Sequence, residues 1–329
     1  MNNNRFHKGY DKLKKLTRDY CQRGNACIRA RKYVSKSSFD KYKKATDKQK
    51  KLRQQVSRWG GDPLSTLDLL ERKTSDTVFI LGSGPSINDL TEDAWRVIRQ
   101  NDSFAFNRFV AHSHTPTYYN SERVSVEWLE TVVQERPDYR DHVLLMSNAK
   151  HFVDWHDASN FRRFENHRFT CPYIVGGALE ILDKIFAVVY SNGLALRNGF
   201  YFHYRGSLSL VLSLCFLAGY RKIVMLGVDL TKYNYFFENT NQYTDDLSQR
   251  LRSELYCERI ANPALYGRDQ PHGTFSKTRH PTDRPIDEVV KLFNESVVLK
   301  NNRRLYVGSP NSELATFLPI YQFPPASFG

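Results

Sequence analysis

From Gly61 onward, short apolar runs alternate with longer segments of helical period, the pattern of a mostly parallel sheet with helices on both faces. Strands are expected at Thr77–Leu81, Ser103–Phe106, Thr117–Tyr119, Val143–Met146, Ile223–Leu226 and Leu305–Val307. Helices are expected from Asp89 to Ile98 and from Ile286 to Phe293. Between Gly206 and Gly219, Leu208, Leu210, Val211, Leu212, Leu214, Phe216 and Leu217 make the segment apolar nearly all round. It reads as a buried helix that Gly219 ends. Upstream of Gly60-Gly61 the pattern changes. Tyr10, Leu13, Leu16 and Tyr20 recur at helix-like intervals among Lys12, Lys14, Lys15 and Arg18, and Lys41 to Arg58 holds few apolar residues, with Val56 and Trp59 near its end.

In a parallel sheet the residues after each strand line the carboxyl edge, where open α/β sheets bind ligands. Here they are Gly82-Ser83, Asn107, Asn120, Ser147-Asn148, Gly227-Val228-Asp229 and Ser309-Pro310-Asn311-Ser312. Singly, each is an ordinary turn residue. Six strands ending alike point to a ribose, a base edge or a sugar, which uncharged amides and hydroxyls recognise. The turn Gly82-Ser83-Gly84-Pro85-Ser86 lies between a strand and a helix, a geometry that suits phosphate, or it is a plain tight turn. It is not the dinucleotide fingerprint. Ile87 stands where the third glycine belongs, and Asn107 ends the next strand where an NAD enzyme carries an acidic residue. Ser207 either caps the buried helix or donates to a ligand. Arg205 meets an anionic substrate group or a surface carboxylate.

Composition adds location. The 329 residues are 40% hydrophobic, enough for one large α/β domain and an appendage, and no apolar run approaches the roughly 18 residues that span a bilayer. Five cysteines, an odd number without metal-type pairing, fit a reducing cytoplasm. The net charge of +13 is uneven: residues 1–60 hold 19 basic and 4 acidic residues, whereas the remainder holds 29 and 31. This divides the chain into a basic helical arm (1–60), a linker (61–76) and a Rossmann-like domain (77–329). The arm reads as a helical appendage that packs or dimerises, or as a peripheral attachment to an anionic membrane surface. Nucleic acid is the weaker reading, because no base-reading module accompanies the charge.

The order of motifs resembles the bacterial CMP-sialic acid sialyltransferases of glycosyltransferase family 42. The matching stretches are Val78–Ile87, Phe104–Phe109, Tyr118–Asn120, Leu144–Asn148, Gly219–Asp229 and Leu305–Ser312. They cover roughly residues 77–329 and leave the arm outside. The resemblance implies a GT-A variant: one Rossmann-like domain with a small lid, at about 236–279, that binds a CMP-sugar with neither cofactor nor metal. With the strand-end reading, donor contacts are expected from Gly82, Ser83, Gly84, Pro85, Ser86, Asn107, Asn120, Ser147, Asn148, Arg205, Ser207, Gly227, Asp229, Asn311 and Ser312. Ser83 occupies the place of a family asparagine. Tyr235 matches the second of two tyrosines that hold the departing phosphate, with Tyr233 substituting for the first. The family's arginine falls by count on Tyr204, one residue before Arg205. His280 is the implied general base, and His272 a rival further upstream.

These residue types make chemical sense. Histidine titrates near neutrality and suits proton abstraction from a hydroxyl, while tyrosine hydroxyls can stabilise a leaving phosphate. No Asp-x-Asp pair stands at a strand end, and Asp154/Asp157 and Asp245/Asp246 fall in polar segments. The expected activity is transfer of sialic acid or a related nonulosonic acid from a CMP-sugar to a glycan or lipid-linked acceptor. A CMP-Kdo or CMP-pseudaminic acid transferase, a pterin pyrophosphokinase-like enzyme and a non-catalytic nucleotide-binding scaffold are the alternatives, and a homo-oligomer is compatible with each.

Overall fold

The computed structural model describes residues 36–122, 126–149, 165–174, 200–231, 234–238, 240–261 and 284–324, with isolated positions 182–183, 186, 190, 195, 199 and 263. Strands β1 (Thr77–Leu81), β2 (Asp102–Phe106), β3 (Tyr118–Ser121), β4 (Leu144–Asn148), β5 (His167–Thr170), β8 (Lys222–Leu226) and β9 (Arg304–Val307) form one sheet. Its order is β5-β4-β3-β2-β1-β8-β9, and every neighbouring pair is parallel. A two-stranded pair, β6 (Tyr173–Ile174) with β7 (Phe202–His203), lies outside it.

The period-two alternation sorts the strand residues into two cores. On one face Val78, Ile80, Phe104, Tyr118, Met146, Ile223 and Met225 pack with helices α6 (Ser207–Leu217) and α8 (Ile286–Phe293). Every residue of α6 is buried, as its all-round apolar sequence requires. On the other face Phe79, Leu81, Ala105, Tyr119, Leu145, Val224 and Leu226 pack against α3 (Glu92–Arg99), α4 (Val126–Glu135) and α7 (Asp246–Ala261). The short α5 (Pro137–His142) leads into β4.

Three differences from the sequence expectation matter. The helix expected from Asp89 begins later: Pro85–Asp89 is a 3-10 turn, and α3 starts at Glu92 behind the Thr91 cap, whose hydroxyl accepts from Ala94 N. The third and fourth strands run further than expected, so Asn120, Ser147 and Asn148 lie within the ladder. The stretch 61–76, read as a linker, is built structure. Asp62 and Leu64 exchange backbone hydrogen bonds with Phe169 of β5, and α2 (Thr66–Arg72) opens with a Ser65–Asp68 capping box.

Helix α1 (Lys36–Arg58), the second half of the basic arm, docks beside β5. Val56 is fully buried against Ala149, Phe169 and Cys171, and Arg53 donates to Leu64 O at 2.6 Å. Residues 1–35 of the arm lie outside the described residues. Among the described residues, no helix is long and apolar enough to cross a membrane.

Candidate functional site

Strand order reverses between β1 and β8, the topological switch point where an open α/β sheet has its crevice. Here the two turns close on each other. Gly82 N donates to Leu226 O and Gly84 N to Gly227 O, both at 2.8 Å. A Cβ on Gly84 would strike the Asp229 carboxylate and Gly227 O. Gly227 has φ +64°, and a Cβ there would lie 2.5 Å from Ile87 Cγ1. The glycines are therefore required by contact between two backbones. Asp229 completes the lock: Oδ2 accepts from Ser86 N at 3.0 Å and Oδ1 from the Ser86 hydroxyl. Burial raises the Asp229 carboxyl pKa, and the two Ser86 bonds oppose that shift. Ser312 braces the same turn, donating to Val228 O at 2.6 Å while capping its own 3-10 turn. Asn311 beside it is exposed, and its N–H donates to Ser309 Oγ.

The ends of β2, β3 and β4 are built differently. Asn107 takes φ +52° just past β2, a left-handed conformation that asparagine tolerates. Its Nδ2 donates to Ser207 Oγ at 3.1 Å, and its Oδ1 accepts from Glu122 N at 3.1 Å. Asn107 thereby joins the edge of the sheet to the first residue of α6. Glu122 accepts in turn from, or pairs with, His203 Nε2 at 2.8 Å. Arg205 (φ +50°) and Gly206 (φ +129°) bend the chain into α6, and Arg205 Nη1 donates to Arg284 O at 3.0 Å.

Asn120 is the decisive residue of this edge. It pairs in register with Phe106 and Met146, is 0% exposed, and neither Oδ1 nor Nδ2 has a hydrogen-bond partner among the described residues. Alternation puts it on the Tyr118 face, the one that α6 covers, and puts Asn148 on the face of Met146, the same side. A buried carboxamide without partners costs about 1–3 kcal/mol, so a native chain keeps one for a reason. Ser147 points to the opposite face, where its Oγ pairs with the buried His167 at 3.1 Å. Burial holds His167 neutral, its pKa lowered to about 3.

On that opposite face, Arg108 Nη1 donates to Tyr235 Oη at 2.6 Å, and Phe236 N donates to Ser83 O at 3.0 Å. The segment after β8 thus returns to the edge beside the Gly82–Ser86 turn. Within the expected lid, α7 and the buried Phe236 and Phe237 are described. His280, His272 and Tyr233 lie outside the described residues. Among the described residues no group of three His, Cys, Asp or Glu is placed to hold a metal.

No protein-family model matches the chain, and no curated protein matches it. Solved structures do. One is the monofunctional alpha-2,3-sialyltransferase Cst-I from Campylobacter jejuni, at 15% identity and TM-score 0.45, covering 78% of this chain and 85% of that one. Another is the sialyltransferase CstII from Campylobacter jejuni in complex with the substrate analogue CMP-3FNeuAc, at 15% identity and TM-score 0.41, covering 77% and 88%. The chain is similar in structure to these sialyltransferases.

Eleven of the sequence-derived residues fall into two groups, and Ser147, turned to the opposite face, joins neither. Asn107, Asn120, Asn148 and Ser207 share the face and edge that α6 covers. Gly82, Gly84, Pro85, Ser86, Gly227, Asp229 and Ser312 belong to the interlocked turns. Glu122, His203 and Arg108 join the edge without having been singled out. Arg108 was legible only as a cation directly after Asn107, whereas Glu122 and His203 are 81 positions apart and meet only through the fold.

Proposed function

We propose that this protein is a glycosyltransferase that moves sialic acid or a related nonulosonic acid from a CMP-sugar to a hydroxyl of a glycan or lipid-linked acceptor. The observation that carries the reading is the fully buried Asn120 carboxamide, unpartnered among the described residues and on the same sheet face as Asn148, with the Asn107–Ser207 pair at that edge. Uncharged donors and acceptors in that arrangement match a ribose, a cytosine edge and sugar hydroxyls. Tyr235, held by Arg108, supplies a hydroxyl suited to a departing phosphate without a divalent ion. The motif order supports the same reading.

In this mechanism His280 removes the acceptor hydroxyl's proton as the oxygen attacks the anomeric carbon. The bond to the CMP phosphate oxygen breaks, and CMP leaves toward Tyr235. The segment 236–279 excludes water over the donor. A thermal-shift panel of CMP, UDP, ATP and NAD tests the reading. Selective stabilisation by CMP is expected. A response to ATP alone would favour pyrophosphokinase-like chemistry, and no response to any would favour a scaffold. His280→Ala should abolish transfer and retain CMP binding, and undiminished turnover would remove His280 from the mechanism.

Charge alone supports attachment of the arm to an anionic membrane surface at the cytoplasmic face. Deleting residues 1–35, which leaves the docked α1 intact, should abolish binding to anionic liposomes at low salt and preserve transfer to a soluble acceptor. Liposome binding that persists after the deletion, or is insensitive to salt, would contradict this role.

A further inference from the structure

Arg108 is a buried cation tied to three groups at once. Its side chain is 8% exposed, and its Nη2 reaches both carboxylate oxygens of Glu258 at 2.7 Å. Nη1 donates to Tyr235 Oη, and the guanidinium lies 4.7 Å from the centroid of the Tyr235 ring. The left-handed turn at Asn107 makes this possible by sending successive side chains to opposite sides: Asn107 to Ser207, Arg108 to Tyr235. We propose that Arg108 is a positioning residue that fixes the Tyr235 hydroxyl as a hydrogen-bond donor to the departing phosphate and ties that orientation to the seating of α7. The proposal rests on the transferase reading above.

Arginine has no acceptor, so a phenol bonded to Arg108 receives that bond and must direct its own proton elsewhere. The adjacent cation also polarises the O–H and strengthens it as a donor. Glu258 neutralises the guanidinium, leaving the phosphate to meet an aligned dipole in place of a full charge. Such a partner stabilises the leaving group without trapping the product.

A second clamp acts on the backbone of the same residue. Tyr235 N donates to Glu238 Oε1 at 2.7 Å, and Glu238, whose side chain is 3% exposed, pairs with Arg259. The two clamps therefore end on consecutive residues of α7, Glu258 and Arg259. A shift of α7 moves both partners of Tyr235 together. Lysine cannot replace Arg108, because a single ammonium cannot reproduce the two guanidinium nitrogens that bond Glu258 and the Tyr235 hydroxyl separately while the plane stacks on the ring.

The test is a double-mutant cycle on the full chain, with Arg108→Gln and Tyr235→Phe alone and combined, read by kcat and KM for a CMP-sugar donor and by thermal midpoint. Arg108→Gln should lower kcat roughly tenfold or more with KM little changed, as loss of a transition-state donor does. Arg108→Lys should recover little. In the Tyr235→Phe background Arg108→Gln should lower kcat no further. Effects that multiply in the double variant, or an unchanged kcat, would overturn the role of Arg108 and leave the transferase reading standing. If Arg108→Gln does not fold, Glu258→Gln replaces it in the same cycle, with the same two outcomes. A wild-type protein that neither binds CMP nor consumes any CMP-sugar would overturn the transferase reading and this role together.

Discussion

The turns after β1 and β8 and the ends of β2, β3 and β4 occupy one sheet edge with similar small polar residues, yet they use those residues in opposite ways. At β1 and β8 the polar groups serve one another: Gly84 N meets Gly227 O, Ser86 meets Asp229, and Ser312 meets Val228 O. At β2 to β4, Asn107 and Ser207 bridge sheet and helix, while the buried Asn120 carboxamide has no hydrogen-bond partner among the described residues. The most recognisable motif of the chain is thus a structural interlock. The groups suited to a ligand are single residues spread over three strands and a helix start. A glycine pattern reports that something comes close to the backbone, and here that something is the neighbouring turn.

The comparison breaks most readily at Gly227. Gly227→Ala adds left-handed backbone strain to a clash with Ile87, and should destabilise the fold by about 2–4 kcal/mol in urea titration. A loss below about 0.5 kcal/mol would mean that the turns are not interlocked. Asn120→Leu should act with the opposite sign. Replacing an unsatisfied buried amide by an apolar group of similar shape should leave the unliganded protein as stable or more stable, by up to about 1–3 kcal/mol. A marked destabilisation would show that protein partners already satisfy Asn120.

His167 sharpens the contrast from the Ser147 side. Its folded pKa of about 3 lies below the ordinary 6.5, so the unfolded chain binds the extra proton between those values. Stability should therefore be intact above about pH 6.5 and fall toward pH 3, by about 1.4 kcal/mol per pH unit for this group. His112 and His114, also lowered by burial to about 3 and about 4, steepen the fall. His167→Gln should flatten it, as read by urea midpoints from pH 7.5 to 5, and an unchanged slope would contradict the burial argument. The smallest effect is expected at Ser312. Ser312→Ala removes one cap and one bond to Val228 O, about 1 kcal/mol by thermal unfolding. No change in midpoint would remove Ser312 from the brace.

Alternation and apolar runs made six strands and the buried helix legible, because burial on both faces leaves little choice of residue. β5 escaped: His167-Arg168-Phe169-Thr170 carries no apolar run and owes its place to Ser147, Asp62 and Leu64. The start of α3 was misplaced because Ile87 and Leu90 continue an apolar rhythm through a 3-10 turn that follows Pro85. The docking of α1 rests on a few side chains, chiefly Val56 and Arg53, which a charge count obscures. At the site, the polar strand ends were legible as a set. Which of them lock the turns and which face α6 depends on register, and a register is a property of neighbours.

The central claim is that the amide edge of β2 to β4 recognises the nucleotide while the glycine turn supports it. Calorimetric titration of CMP into the wild-type protein and into Asn120→Leu tests this most directly. The account predicts measurable CMP binding to the wild type and roughly tenfold or weaker binding to the variant, with its fold intact. Equal affinity in the two proteins would contradict it.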